Sequence, residues 1–337
     1  MQTTTPLPPQ KRSRSRDDHQ QAAAVWLHYL AVRARGLVVV LVAITILTFL
    51  VVRLVPGDPA RLILGPTASA EDVKRVREQL GLTDSLPQQF WSYVTGILHG
   101  DLGTSFTNSQ PVSTLLSQRF PLTVELACAG LLVVILLGFP LGLAAGLLGR
   151  DGRGAWRSGV FSAITSVVGA LPEYITGTLL ILIFPLTLGY LPVQGGSGPD
   201  EILLPALAVG LGPAAVLARL VRNETRAVLN QEYMMTAASK RISTWRTVSR
   251  HILPNVITST LTLGGVLLIA LIGGTVITEN VFNMAGLGNA LVRAVQSNDY
   301  PVVQGILLLL GLVAVLINVA VDVVLGVLDP RVLGETA

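Results

Sequence analysis

A chain of 337 residues with 51% hydrophobic and only 13% charged residues has about half the charge that a soluble surface of this size needs. The net charge of +4 comes from 24 Lys and Arg against 20 Asp and Glu, with the basic residues gathered between long apolar runs. These proportions exclude a soluble enzyme, and the lone Cys128 excludes an intrachain disulfide or a cysteine-cluster metal site.

Residues 1–24, with Pro8-Pro9 and the run Lys11 to Arg16, read as a disordered basic arm. The stretch 25–55 carries the first apolar run, Leu37–Val55, which is too long for the core of a cleaved signal peptide. Five more runs follow: Leu122–Leu148, Gly159–Tyr190, Leu203–Leu220, Val256–Thr278 and Val302–Leu328. Each approaches or exceeds the ~20 residues that span a bilayer as helix. Unbroken apolar runs of this length are too long for strands, so the fold class is an all-α integral membrane protein with six transmembrane helices.

Lys and Arg orient these spans. Arg33 and Arg35 flank the first, Arg150, Arg153 and Arg157 follow the second, and Arg222, Arg226, Lys240, Arg241, Arg246 and Arg250 join the fourth to the fifth. Gly189–Ile202 has no basic residue. The bias places both termini in the cytoplasm. Residues 56–120 then lie outside as a cap, and residues 121–330 form a core of five spans.

Within the cap, Ser69 caps a helix over Ala70–Leu80 that Gly81 stops, with Glu71 and Asp72 in its first turn. A second helix covers Leu86–Leu98, with Phe90, Trp91, Tyr93 and Ile97 as its apolar face. Gly100–Gly103 and Asn108–Pro111 read as loops. In the core, Gly138, Gly142 and Gly146 recur every four residues, so they line one helix face and admit a neighbouring helix closely. Pro140, Pro172, Pro185, Pro205 and Pro213 are expected to bend their helices.

No nucleotide-phosphate loop, zinc motif or clustered histidines occur, so the chain lacks the parts of a catalytic site. Ionisable residues within spans are few and are therefore functional candidates. Glu173 follows Pro172 and either lines a translocation path or forms a carboxyl contact at a helix interface. Asn318 and Asp322 lie one turn apart on the last span, where a structural hydrogen bond or ion pair competes with a place on the path. Glu125, near the outer end of the second span, fits either role.

The segment 229–254 is a polar, basic island between two spans. Glu232 at its start and Lys240 and Arg241 near its end suit a helix dipole. Tyr233, Ala237 and Arg241 share one stripe, and Met234, Ala238 and Ile242 the next. Small Ala237 and Ala238 beside Tyr233, Met234 and Met235 fit a partner's groove. Ser243 opens a second short helix, Thr244–Ile252, which Pro254 is expected to end.

At these residues the chain resembles the permease subunits of ABC importers. Tyr233, Thr236, Ala237, Lys240, Ser243, His251, Leu253 and Asn255 agree with the dipeptide/oligopeptide branch, which also includes nickel permeases. Leu54–Ala60, Gln79–Leu82, Gly100–Ser105, Glu279–Phe282, Gly286–Gly288, Asp299–Gly305 and Asn318 through Arg331 extend the likeness to all but residues 1–24. Within the branch the chain looks like the "B"-type permease.

The resemblance implies a type I ABC importer permease fold in a bacterial inner membrane, carrying di- or oligopeptides. It implies a heterodimer with a second, similar permease, two ATPase subunits below and an external substrate-binding protein. ATP and magnesium would be used by the ATPases and no cofactor bound by this chain. No nucleic-acid partner is implied, and lipid surrounds the spans. Glu232, Tyr233, Met234, Thr236, Ala237, Ala238, Lys240, Arg241 and His251 would form the ATPase-docking coupling segment, and Glu173, Asn318 and Asp322 the candidates for the path. Arg241 departs from the family, which has glycine there; a non-Gly residue in a left-handed helix cap costs ~1 kcal/mol, or the helix runs on. Alternatives are a nickel or other small-solute ABC permease, or a stand-alone ion-driven transporter or channel.

Overall fold

Three glycines decide how the core of this protein packs. A computed structural model describes residues 32, 35–50, 59–65, 67–79, 81–148, 155–234 and 243–328. In it, a Cβ on Gly138 would stand 2.7 Å from the carbonyl oxygen of Ala214, and one on Gly146 would stand 2.6 Å from Thr225 Cβ. A Cβ on Gly142 would collide with the carbonyl of Ala218. The stripe thus lies directly on the backbone of α9 (Pro199–Leu229), as the four-residue spacing predicts.

Preceding α9 are α1 (Arg35–Leu50), α2 (Pro59–Leu64), α3 (Ala70–Gln79), α4 (Leu86–Leu98), α5 (Val112–Val133), α6 (Phe139–Leu148), α7 (Ala155–Ala170) and α8 (Glu173–Ile181). After it come α10 (Thr244–Thr247), α11 (Leu253–Val281), α12 (Leu287–Gln296) and α13 (Tyr300–Leu328). The described residues contain no β-strand, only one antiparallel bridge between Thr104 and Pro111. Helix α9 is the hub: α5, α6, α7, α8 and α11 all pack on it, and Val209, Leu217 and Val221 are fully or almost fully buried.

Four helical stretches are long and apolar enough to cross a membrane: Val112–Leu148, Pro199–Leu229, Leu263–Val281 and Tyr300–Val321. A fifth is the bent pair Trp156–Ala170 and Glu173–Leu188; α1 adds a shorter apolar helix within its described residues. The single span expected over Gly159–Tyr190 is therefore broken, with a 96° bend at Leu171-Pro172. Proline lacks the N–H that would carry the helix through, and Pro172 becomes the extended N-cap of α8 (φ −60°, ψ 143°).

The other prolines act more gently. Val134–Gly138, just before Pro140, and Leu182–Leu188, around Pro185, are π-helical turns that widen without breaking the rod. Pro205 and Pro213 sit inside continuous α9. Pro254 does not end the helix before it. Val248–Ile252 is π-helical, Leu253 keeps right-handed helical angles, and Pro254 sits in the first turn of α11, where its missing N–H costs least.

Outside the core, Ser69 Oγ accepts the Asp72 N–H (3.1 Å) at the head of α3, and Gly81 takes φ +64° beyond its end. Helix α4 runs over the expected residues. Its Phe90 ring meets Phe49 of α1 edge-on at 5.1 Å, and Tyr93 Oη lies 3.2 Å from Thr48 Oγ1. Burial pushes the Tyr93 phenol above its ordinary value, an effect partly offset by that hydrogen bond. Trp91 does not share this packed face; it is 68% exposed. Helix α5 starts at Val112, ten positions before the expected span, because Val112, Leu115 and Leu116 are buried against Val302, Val303 and Ile306 of α13.

Candidate functional site

The connection from α9 to α11 begins where Asn230 caps α9, still near helical angles (φ −87°, ψ −1°). The Met234 N–H then bonds Gln231 O at 2.9 Å, and residues 232–234 are helical. Glu232 and Tyr233 are exposed, whereas Met234 is buried to 2%. Met234 thus turns into its own chain and holds the segment down, instead of presenting itself to a groove. Thr236, Ala237, Ala238, Lys240 and Arg241 lie outside the described residues.

On the return, the His251 ring stacks obliquely on Tyr233, with centroids 5.9 Å apart. The His251 carbonyl accepts Asn255 Nδ2 at 2.7 Å. Val248 and Ile252 are buried, while Trp245 is 78% exposed beside exposed Arg246 and Arg250. An exposed tryptophan flanked by arginines has the composition of an interface anchor. Sequence reasoning passed over Trp245; its one signal was a large aromatic in a polar stretch.

Inside the bundle, Glu173 occupies the first turn of α8, directly after the break. Its carboxylate lies against Gly274 of α11, where a Cβ would stand 2.5 Å from Oε1. Oε2 is buried without a hydrogen-bond partner among the described residues. Asn318 sits elsewhere. It lines a cavity of about 800 Å³ with Arg35, Val39 and Ile44 of α1 and Ile269 of α11, and no residue of α8 borders that cavity. Glu173 and Asn318 therefore do not share a site. Asp322 lies on α13, but its side chain is outside the description, and Glu125 is exposed on α5.

The best-satisfied buried carboxylate was not singled out from sequence. Glu279, fully buried, accepts Thr123 Oγ1–H at 2.7 Å on Oε1 and the Asn289 N–H at 3.1 Å on Oε2. Thr123 Oγ1 in turn accepts the Leu287 N–H at 2.8 Å. The carboxylate therefore sits on the N-terminus of α12, where free N–H groups and the helix dipole favour a negative charge. Gly286 and Gly288 leave it room, since a Cβ on Gly286 would collide with it. Asp299 does comparable work at the α12–α13 corner. It accepts the Ser105 hydroxyl, the Phe106 N–H (3.0 Å) and the Thr107 N–H (3.2 Å), pinning the Ser105–Thr107 loop to the core. Among the described residues, no group of three or more His, Cys, Asp and Glu could hold a metal ion.

These features coincide with the matches to known proteins. The family described as binding-protein-dependent transport system inner membrane component matches residues 138–334, and its N-terminal companion matches residues 26–127. The glutathione transport system permease protein GsiC of Salmonella typhimurium (strain LT2) is 39% identical over 308 residues, 91% of this chain and 99% of that protein. Its counterpart in Escherichia coli (strain K12) is 37% identical over 306 residues, with the same coverage. Among solved structures, the inward-facing MetNI methionine ABC transporter aligns with TM-score 0.51 at 20% identity, over 64% of this chain and 96% of that one, and so shares the fold. The chain is a multi-pass inner-membrane protein and belongs to the binding-protein-dependent transport system inner membrane components, as an ABC importer permease of the peptide and nickel family.

Proposed function

We propose that this chain forms half of the translocation pathway of an ATP-driven importer of short peptides and couples ATPase closure to alternating access. The observation that carries the substrate class is the 39% identity, over nearly the whole length, to a glutathione permease, whose cargo is itself a tripeptide. The chain pairs with a second, similar permease, receives cargo from an external binding protein, and docks two ATPase subunits that use ATP and magnesium. Both termini are cytoplasmic in this reading.

The docking surface is the segment around Glu232, Tyr233, Thr236, Ala237, Ala238, Lys240 and Arg241, with His251 bracing Tyr233 from behind. Exposed Tyr233 and Trp245 and buried Met234 fit a segment anchored on one side and open to a partner on the other. Glu173, at the break in the third span, is the proposed pathway residue; its carboxylate against Gly274 fits a polar point between discontinuous helices.

The test is reconstitution of peptide uptake with the co-purified partners. Wild type is expected to import only with ATP, the ATPases and the binding protein present. Ala237→Arg is expected to abolish uptake while the spans stay folded. Uptake by this chain alone, driven by an ion gradient, would overturn the reading in favour of a stand-alone transporter.

A further inference from the structure

One face of α9 carries an arginine ladder turned toward α7, and the permease role does not use it. Arg219 Nη1 donates to Thr165 O at 3.0 Å. One turn on, Arg222 is 93% buried by its 7% exposure; it donates to Ser162 Oγ at 3.0 Å and to Ser158 Oγ, and lies 5.0 Å over the Phe161 ring. A further turn on stands Arg226. Two facing serines and an aromatic ring hold the guanidinium of Arg222 in place, yet its Nε has no partner among the described residues, nor has the buried Nε of Arg226.

Both side chains line a recess of about 230 Å³ between α6, α7 and α9, and exposed Arg157 stands at the same recess. Ser158, Phe161, Ala144, Ala145, Leu141 and Leu148 complete its lining, and among the described residues no Asp or Glu borders it. Leu141 and Leu148 are exposed on the outer surface of α6. Unpaired buried N–H groups on neighbouring like charges are costly, and an anion that accepts from both removes the cost. The recess is smaller than the 300–1,000 Å³ of ordinary small-molecule pockets, but it opens beside an apolar surface.

We propose that this recess binds a phosphate oxyanion presented by an anionic phospholipid, whose acyl chains run along Leu141 and Leu148. The site lies at the end of α9 that leads to the coupling segment, so a bound headgroup would sit in the cytoplasmic leaflet. That sidedness rests on the orientation proposed above; the binding itself rests only on the membrane location. Juxtamembrane basic residues attract anionic lipid by about fivefold each.

The experiment uses the full chain purified in mild detergent, without partners or transport, so its outcome is independent of the uptake test. Native mass spectrometry measures retained lipid after titration with phosphatidylglycerol or phosphatidylcholine, and thermal unfolding is followed in parallel. Wild type is expected to retain phosphatidylglycerol preferentially and to unfold at higher temperature with it. Arg226→Gln and Arg157→Gln are each expected to weaken this binding about fivefold. Because Arg222→Gln risks misfolding, Arg222→Lys serves at that position, and loss of the guanidinium fork is expected to weaken binding there too. Equal retention of both lipids by wild type, or an unchanged preference in Arg226→Gln, would overturn the proposal. Inorganic phosphate that stabilises the protein as well as phosphatidylglycerol does, and displaces it, would identify a solution-anion site and overturn the lipid assignment.

Discussion

Thr123 and Glu279, 156 residues apart in sequence, share a buried hydrogen bond of 2.7 Å that ties α5 to the end of α11. Because Thr123 also accepts the Leu287 N–H and Glu279 the Asn289 N–H, three helices meet through two side chains. Glu279→Ala leaves the Thr123 hydroxyl and the Asn289 N–H without their acceptor at the head of α12; it is expected to cost about 2–6 kcal/mol, about 1–3 for each unpaired buried donor. Glu279→Gln keeps one acceptor but turns an amide N–H₂ toward a donor, at about 1.5–3 kcal/mol. Unfolding of the purified protein in detergent reads both, and an unperturbed Ala variant would refute the cap.

The glycine stripe makes a sharper contrast. Gly142→Val forces a branched side chain into the Ala218 backbone, with an expected loss of at least about 1–3 kcal/mol and poor recovery of folded protein. Gly159→Ala on α7, with nothing within 4 Å of the added carbon, is expected to be neutral. Comparable losses in the two variants would remove close packing on α9 as the explanation.

Asp299→Ala deletes the acceptor for Ser105, Phe106 and Thr107 and frees their loop from the α12–α13 corner. Losing hydrogen bonds to a charged group is expected to cost about 1.5–3 kcal/mol locally. Limited proteolysis should then cut near residues 103–111 faster than in wild type, with the core spans still intact.

Glu173 can be approached from both sides of its contact. Gly274→Ala pushes a methyl group into the carboxylate, and Glu173→Gln removes its charge while keeping its shape. Both are expected to leave assembly intact and to lower peptide uptake by about tenfold, equivalent to about 1.4 kcal/mol. Normal uptake in Glu173→Gln would take this residue off the path.

Tyr93 gives a pH signature. Its phenol is raised in the folded protein, so its contribution is fully present below about pH 10 and is lost as pH rises through the folded value. Tyr93→Phe is expected to lose at most about 1 kcal/mol at neutral pH, because Thr48 Oγ1 still donates to Ile44 O and Thr45 O. By thermal unfolding, the variant is expected to show a smaller alkaline loss of stability than wild type.

Sequence patterns reached the parts of this fold whose causes are local. Ser69 and Gly81 bounded α3, the four-residue glycine spacing marked the face that meets α9, and apolar length located the four long apolar helices. What escaped depended on partners far along the chain. Glu279 reads as the first residue of a loop because hydropathy falls after Thr278; only the α12 N-terminus shows why the helix carries a carboxylate inward to Val281. Helix α12 hides in a stretch too short and mixed to read as a span, its Leu287 and Ala290 finding their cover on α5 and α13. Pro172 and Pro254 look alike as helix breakers. Yet one turns the chain through 96° and the other rides in the first turn of a continuing helix, a difference made by the π-helical turn that precedes Pro254.

Helix α9 is one unbroken piece of 31 residues, about 46 Å from end to end. One end lies four residues from Tyr233, and the other begins at Pro199. A tilt of about 5° about the Leu229 end carries the far end some 4 Å, by the length of the rod alone. Gly138, Gly142 and Gly146 seat α6 along this rod without a gap, whereas α7 and α8 meet it as two arms of a corner bent by 96°.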